Sequence, residues 1–187
     1  MSRIRVYPSC ILFDLLKPKA EQIHIGDIAH HLSMLCRFTG GVSRFYSVAE
    51  HCVRMTWDMR TEGARKELLF AALLHDASEA YLNDINRPLK HSEQMAGYRQ
   101  AEATMMHAIY ERFGVFEDTL AASEWEHIDK HDQRMLRMEQ AELQNPDCAS
   151  LLGWSPATAR ENFLNLARAT APDPNVLNPI LAVLALQ

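Results

Sequence analysis

The segment from Ala64 to Tyr81 has no proline or glycine and is apolar almost throughout Leu68–Leu74. Apolar on every side, such a stretch reads as a central, buried helix that other elements must enclose. The flanking segments carry helix punctuation of their own. Asp27 can cap a helix through Ile28–Phe38, which Gly40–Gly41 can end. Ser47-Val48-Ala49-Glu50 has the form of a capping box, in which Ser serves a free backbone N–H and Glu reaches back; it predicts a helix from Val48. Ser92 opens another helix that ends near Phe113–Gly114. Ser123-Glu124-Trp125-Glu126 is a second box, and its helix stops at Asn145-Pro146. Ser155-Pro156 sets a cap before a first-turn proline and opens a further helix.

No alternating strand pattern with hairpin turns is visible. At most the first twelve or so residues hold a short extended segment, and Asn83–His91, with Pro88, is the main irregular stretch. No repeat, low-complexity tract or linker divides the chain. The expectation is an all-α fold: one compact helical domain over 1–187, with helices over 155–187 packing on the rest. A chain of 187 residues is long enough to bury a core without disulfide staples. Its four cysteines, Cys10, Cys36, Cys52 and Cys148, form no CxxC pair, which suits free thiols in a reducing cytoplasm. A net charge of −5 and the lack of a basic stripe interleaved with aromatics argue against a nucleic-acid partner and a polybasic membrane patch. No signal peptide is recognised, and the apolar run in Pro174–Gln187 is shorter than the roughly 20 residues of a membrane span. That run is expected to dock on the core or to form a homo-oligomer contact.

The chemistry is concentrated in histidines and carboxylates. His75-Asp76 ends the most apolar stretch, where an Asp is costly unless paired or bound to a cation. Glu79 follows at helical spacing and shares their side. A helix end with solvated charges is the plainer alternative. His51 follows the first capping box, and Asp132 lies in the helix after the second. Two imidazoles and two carboxylates form a mixed donor set suited to a divalent ion with open positions for water. Asp129 lies one turn from Asp132 and competes with it.

The order His51 … His75-Asp76 … Asp132 resembles the metal signature of HD-superfamily phosphohydrolases. Tyr46–His51 is similar to the segment around the first metal histidine of bacterial 5′-deoxynucleotidases and phage-type HD hydrolases, which include deoxyadenosine triphosphate triphosphohydrolases. His75-Asp76-Ala77-Ser78-Glu79, with Asp84, Pro88 and Lys90, resembles their HDASE…D…P…K block. Arg37-Phe38 falls where those enzymes carry an Arg and an aromatic residue, often Trp. Arg134, Leu136 and Glu139 after Asp132 resemble a D-x-R-x-L-x-x-E helix, which favours Asp132 over Asp129. The likeness runs from Asp27 to Leu143.

This resemblance implies one divalent ion (Co²⁺, Mn²⁺, Zn²⁺, Ni²⁺, Fe²⁺ or Mg²⁺) held by His51, His75, Asp76 and Asp132. It implies Glu79 as orienter or base for the attacking water, Arg37 and Lys90 on phosphate oxygens, Asp84 near the sugar, and Phe38 beside the nucleoside. The implied reaction is hydrolysis at the 5′ α-phosphorus of a (deoxy)nucleotide, by a 5′-deoxynucleotidase or a dNTP triphosphohydrolase; Arg44 and Arg87 are further candidates for distal phosphates. Stringent-response nucleotides fit less well, since that branch carries HDxxED where this chain has HDASEA. The non-catalytic alternative is a nucleotide sensor that kept the fold.

Elsewhere the plainer readings are preferred. His127 and His131 stand at i, i+4, a chelating spacing, but read as a solvated helix face. His30-His31 read as packing or surface residues, and the methionines as core filler. Glu50 could steady a metal histidine, although capping is the simpler role for it. Arg87 could reach phosphate or stay solvated.

Overall fold

In the computed structural model, which describes residues 2–116, 118–145 and 152–177, the apolar stretch forms α3 (Lys66–Leu73), with Leu68 through Leu74 all buried. The helix does not run on to Tyr81 as expected. After Leu73 the backbone tightens: the N–H groups of His75, Ala77 and Glu79 donate three residues back, to the carbonyls of Ala72, Leu74 and Asp76. The His75 side chain contributes to the break, because its Nδ1 takes the Ala72 carbonyl at 2.8 Å. In a continuous helix that oxygen would serve the N–H of residue 76. A short helix, α4 (Glu79–Leu82), resumes afterwards.

The helices over Val48–Thr61 and Pro156–Thr170 pack directly on α3, and those over Ile25–Met34 and Ala122–Leu143 pack on them in turn. Helix α1 (Ile25–Met34) begins before Asp27, which is buried in its first turn and accepts from the Ser9 N–H at 2.9 Å instead of capping. It also ends earlier than expected. Beyond Met34 the chain is extended, and Cys36 pairs with Ser47 in an antiparallel bridge. A single tight turn, Arg37–Gly40, follows. Helix α2 (Val48–Thr61) starts where expected, with Ser47 Oγ accepting from the Glu50 N–H at 3.1 Å. Glu50 does not close the box. Its buried carboxylate accepts from Arg54 and from the backbone N–H groups of Gly153 and Trp154.

That contact ties α2 to the entry of α8 (Pro156–Thr170), which Ser155 caps through the Thr158 N–H and which packs on α1, α2 and α3. Helix α7 (Ala122–Leu143) lies against α2. It begins before Ser123: the cap is at Ala121, whose N–H Glu124 accepts at 2.9 Å, so the start expected at Ser123 is shifted and Glu124 takes the place of Glu126.

The remaining elements close the domain. The stretch Asn83–His91 contains α5 (Arg87–Lys90), and α6 (Ala96–Phe113) ends at left-handed Gly114, after a tight turn at Glu93–Met95 between Ser92 and the helix. The N-terminal segment was expected to hold at most one extended piece. It forms a small hairpin, β1 (Arg3–Arg5) against β2 (Leu12–Asp14), whose buried Phe13 stacks on Tyr81 at 4.5 Å. Side chains from the hairpin, α1, α2, α3, α6, α7 and α8 share one contiguous core, so the described residues form a single all-α domain apart from the hairpin. Among the described residues no helix is long and apolar enough to cross a membrane. Leu177 is buried, while Cys148 and most of the C-terminal apolar run lie outside the described residues.

Candidate metal centre

His51 lies one turn into α2, His75 and Asp76 occupy the break after α3, and Asp132 lies midway along α7. These separate elements bring His51, His75 and Asp132 into one cluster, with Asp76 close to both histidines. His51 Nε2 is 3.3 Å from His75 Nε2, 3.7 Å from Asp76 Oδ2 and 3.3 Å from Asp132 Oδ1. His75 Nε2 is 3.2 Å from Asp76 Oδ2 and 3.9 Å from Asp132 Oδ1. Donors about 2.1 Å from a tetrahedral ion stand about 3.4 Å apart, so these separations suit a shared cation. Asp129, the rival fourth donor, is exposed.

The hydrogen bonds behind the cluster strengthen that fit. His51 Nδ1 donates to Glu139 Oε1 at 2.6 Å, and His75 Nδ1 donates to the Ala72 carbonyl at 2.8 Å. With each Nδ1 proton committed behind the ring, each Nε2 presents a lone pair to the centre, the tautomer a metal requires. Burial disfavours the charged imidazoles. Even so, Glu139 and Asp132 raise the pKa of His51, and Asp76 raises that of His75 well above its usual value. Asp132 is driven to about 2: burial opposes this, and its hydrogen bond to His51 overcomes the opposition. The donor set therefore attracts positive charge.

Glu139 is the buried brace of the site. Besides His51 it accepts from Tyr46 Oη at 2.8 Å and Arg37 Nε at 3.1 Å, and the neighbouring His51 and Arg37 hold its carboxyl at about 2 against the cost of burial. From its spacing alone Glu139 belongs to a helix pattern, and Glu50 is the candidate for the supporting role. Glu50 is instead turned toward Gly153 and Trp154. Cys52, read only as a packed thiol, lies beside His75 and Asp76, and burial raises its pKa.

A cleft of about 100 Å³ opens from this cluster to solvent. Arg37, Phe38, Asp84 and Lys90 all line it. Arg37 is buried and reaches Asp76 Oδ2 at 3.4 Å as well as Glu139. Phe38 is half-buried with its guanidinium neighbour 5.5 Å from the ring centre, on a backbone of φ +57°. Such a φ is uncommon for a non-glycine residue, and strain of this kind gathers at ligand sites. Lys90 is ion-paired with Glu102. Arg87, left open by the sequence, stands on the rim and donates to Asp132 Oδ2 at 3.0 Å. Arg44 does not line the cleft.

Glu79 also lines the cleft, and its buried Oε2 has no hydrogen-bond partner. Burial, together with the charges of Asp76 and Asp84, raises its pKa well above the usual carboxylate range. Burial likewise raises that of Asp84. With Asp76 and Asp132, these carboxyl groups share the cleft with three basic side chains, Arg37, Arg87 and Lys90.

No family model matches the chain. It is 40% identical over 99 residues to the uncharacterized protein YfdR of Escherichia coli (strain K12), a match covering 53% of this chain and 52% of that protein. It is 37% identical over 106 residues to the uncharacterized protein RCAP_rcc00048 of Rhodobacter capsulatus, covering 54% of each. The chain thus spans about half the length of the curated relatives it matches.

Proposed function

We propose that this chain is an HD-type, metal-dependent phosphohydrolase that removes the phosphate of a 5′-(deoxy)nucleoside monophosphate. The observation that carries the reading is the convergence of two Nε2 lone pairs and two carboxylates at the foot of a cleft with basic side chains. His51, His75, Asp76 and Asp132 would hold one divalent ion. When bound, such an ion polarises a phosphoryl oxygen and acidifies water. Arg37 and Arg87 can offer planar donor forks to phosphate oxygens, with Lys90 adding charge. Water attacks phosphorus, the P–O5′ bond breaks, and the departing O5′ takes a proton from solvent, to which Glu79 releases the one it received. Glu79 accepts the water proton at its free oxygen, a role suited to a buried carboxyl whose pKa is raised. Asp84 and Phe38, which both line the cleft, would face the sugar and border the nucleoside.

The monophosphate is preferred over a triphosphate because the cleft's three basic residues already have partners and Arg44 stands outside it. The free thiols of Cys10, Cys36 and Cys52 suit a cytoplasmic setting. Product analysis tests the reading. Purified chain is incubated with Co²⁺ or Mn²⁺ and a panel of ribo- and deoxyribonucleotides, and products are separated by ion exchange. Nucleoside with orthophosphate supports the proposal. Tripolyphosphate reassigns the chain as a triphosphohydrolase. No turnover with any metal overturns the enzymatic reading in favour of a sensor.

A further inference from the structure

At the far end of α2 from His51, about 16 Å along the helix axis by residue count, a different cluster joins α2 to α7. The His127 and His131 rings are parallel, tilted by 7° with centres 4.6 Å apart, as i, i+4 spacing on α7 permits. Both Nε2 atoms face one oxygen: His131 Nε2 is 3.1 Å and His127 Nε2 3.6 Å from Glu62 Oε2. The three residues can each bring a ligand atom within 4.8 Å of the other two. His131 is buried, whereas Glu62 and His127 remain partly open to solvent. His127 Nε2 is itself enclosed and has no hydrogen-bond partner.

The surroundings prepare this triangle for a cation. Asp58 Oδ2 stands 3.1 Å from His131 Nδ1 and can accept its proton, leaving Nε2 as the free donor atom. Arg134 lies 3.3 Å from the same Nδ1, but its guanidinium is held by Asp58 and by Glu62 Oε1. Glu62 therefore spends one oxygen on Arg134 and turns the other toward the histidines.

We propose that Glu62, His127 and His131 form a metal site separate from the centre at His51. Two imidazoles and one carboxylate select a transition ion of the Zn²⁺, Ni²⁺, Cu²⁺ or Co²⁺ class over Mg²⁺ or Ca²⁺. Solvent supplies the remaining ligands through the open side. The ion would fasten the C-terminal end of α2 to the first turns of α7.

The test is Zn²⁺ titration of the full chain against a chromophoric chelator, independent of any nucleotide chemistry. Wild type is expected to bind two equivalents. His127→Ala and Glu62→Gln, both at partly exposed positions, should each lose one equivalent or weaken it at least about ten-fold. Asp76→Ala should lose the other equivalent. His127→Ala should leave nucleotide turnover unchanged. Equal stoichiometry and affinity in wild type, His127→Ala and Glu62→Gln would overturn the site. A wild type that binds one equivalent, lost in His127→Ala and kept in Asp76→Ala, would uphold it while removing the metal centre at His51.

Discussion

Glu139→Gln tests the brace behind the metal centre. The glutamate is fully buried and accepts from His51, Tyr46 and Arg37 through two oxygens. Glutamine keeps the volume but replaces one acceptor with an NH₂ group, which must then face one of those donors. It also removes the charge opposite a buried guanidinium. Breaking one side of a buried ion pair costs about 3–5 kcal/mol. At about 2–4 °C per kcal/mol for a chain of this size, Tm should fall by roughly 6–20 °C. Metal affinity should fall as well, by about 10–100-fold, because His51 loses the acceptor that fixes its tautomer. Calorimetry in chelator reads the first effect, and metal titration of the folded variant reads the second. A Tm within about 2 °C of wild type would refute the buried charge network. An unchanged metal affinity in a destabilised variant would refute the tautomer argument.

Glu79→Gln should retain metal, lose turnover and raise the stability of the metal-free fold by about 0.5–2 kcal/mol, since it removes a carboxyl whose ionisation burial penalises; thermal melts with activity assays check both halves. Asp84→Asn should narrow the ratio of deoxyribo- to ribonucleotide turnover, and an unchanged ratio would take Asp84 off the sugar. Asp132 and Glu139 titrate near 2 in the folded chain, below the ordinary carboxylate range. Their contribution is present at neutral pH and is lost as pH falls from about 5 toward 2. Melts of metal-free protein should drop through that window, and Glu139→Gln should flatten the drop.

The helical class and the caps at Ser47 and Ser155 were legible because each rests on chemistry within a few residues of chain. The break after α3 was not, since its cause is a side chain, His75, taking a backbone carbonyl that an apolar pattern assigns to the helix. The same limit explains the half-made first capping box: Glu50 has the right spacing, but a backbone a hundred residues away offers it two N–H groups. His51, His75, Asp76 and Asp132 could be proposed as one set from residue type and family likeness, and the fold brings them together. Glu139 as brace depends on the packing of α7 against α2, which no local spacing encodes. His131 was read as solvated for the same reason. Its partners Asp58 and Glu62 lie some seventy positions earlier, and only the fold buries it between them.

Helix α7 inserts only Ile128, Met135 and Leu143 as buried apolar side chains across 22 residues. Its other anchors are electrical: Asp132 and Glu139 at one end of the contact, His131 and Arg134 at the other. Cohesion of this kind weakens with added salt, with acid and with loss of a bound cation, while the greasy interior around α3 does not share that sensitivity. Amide protons of α7 should therefore exchange with deuterium well before those of α3 when metal is withdrawn.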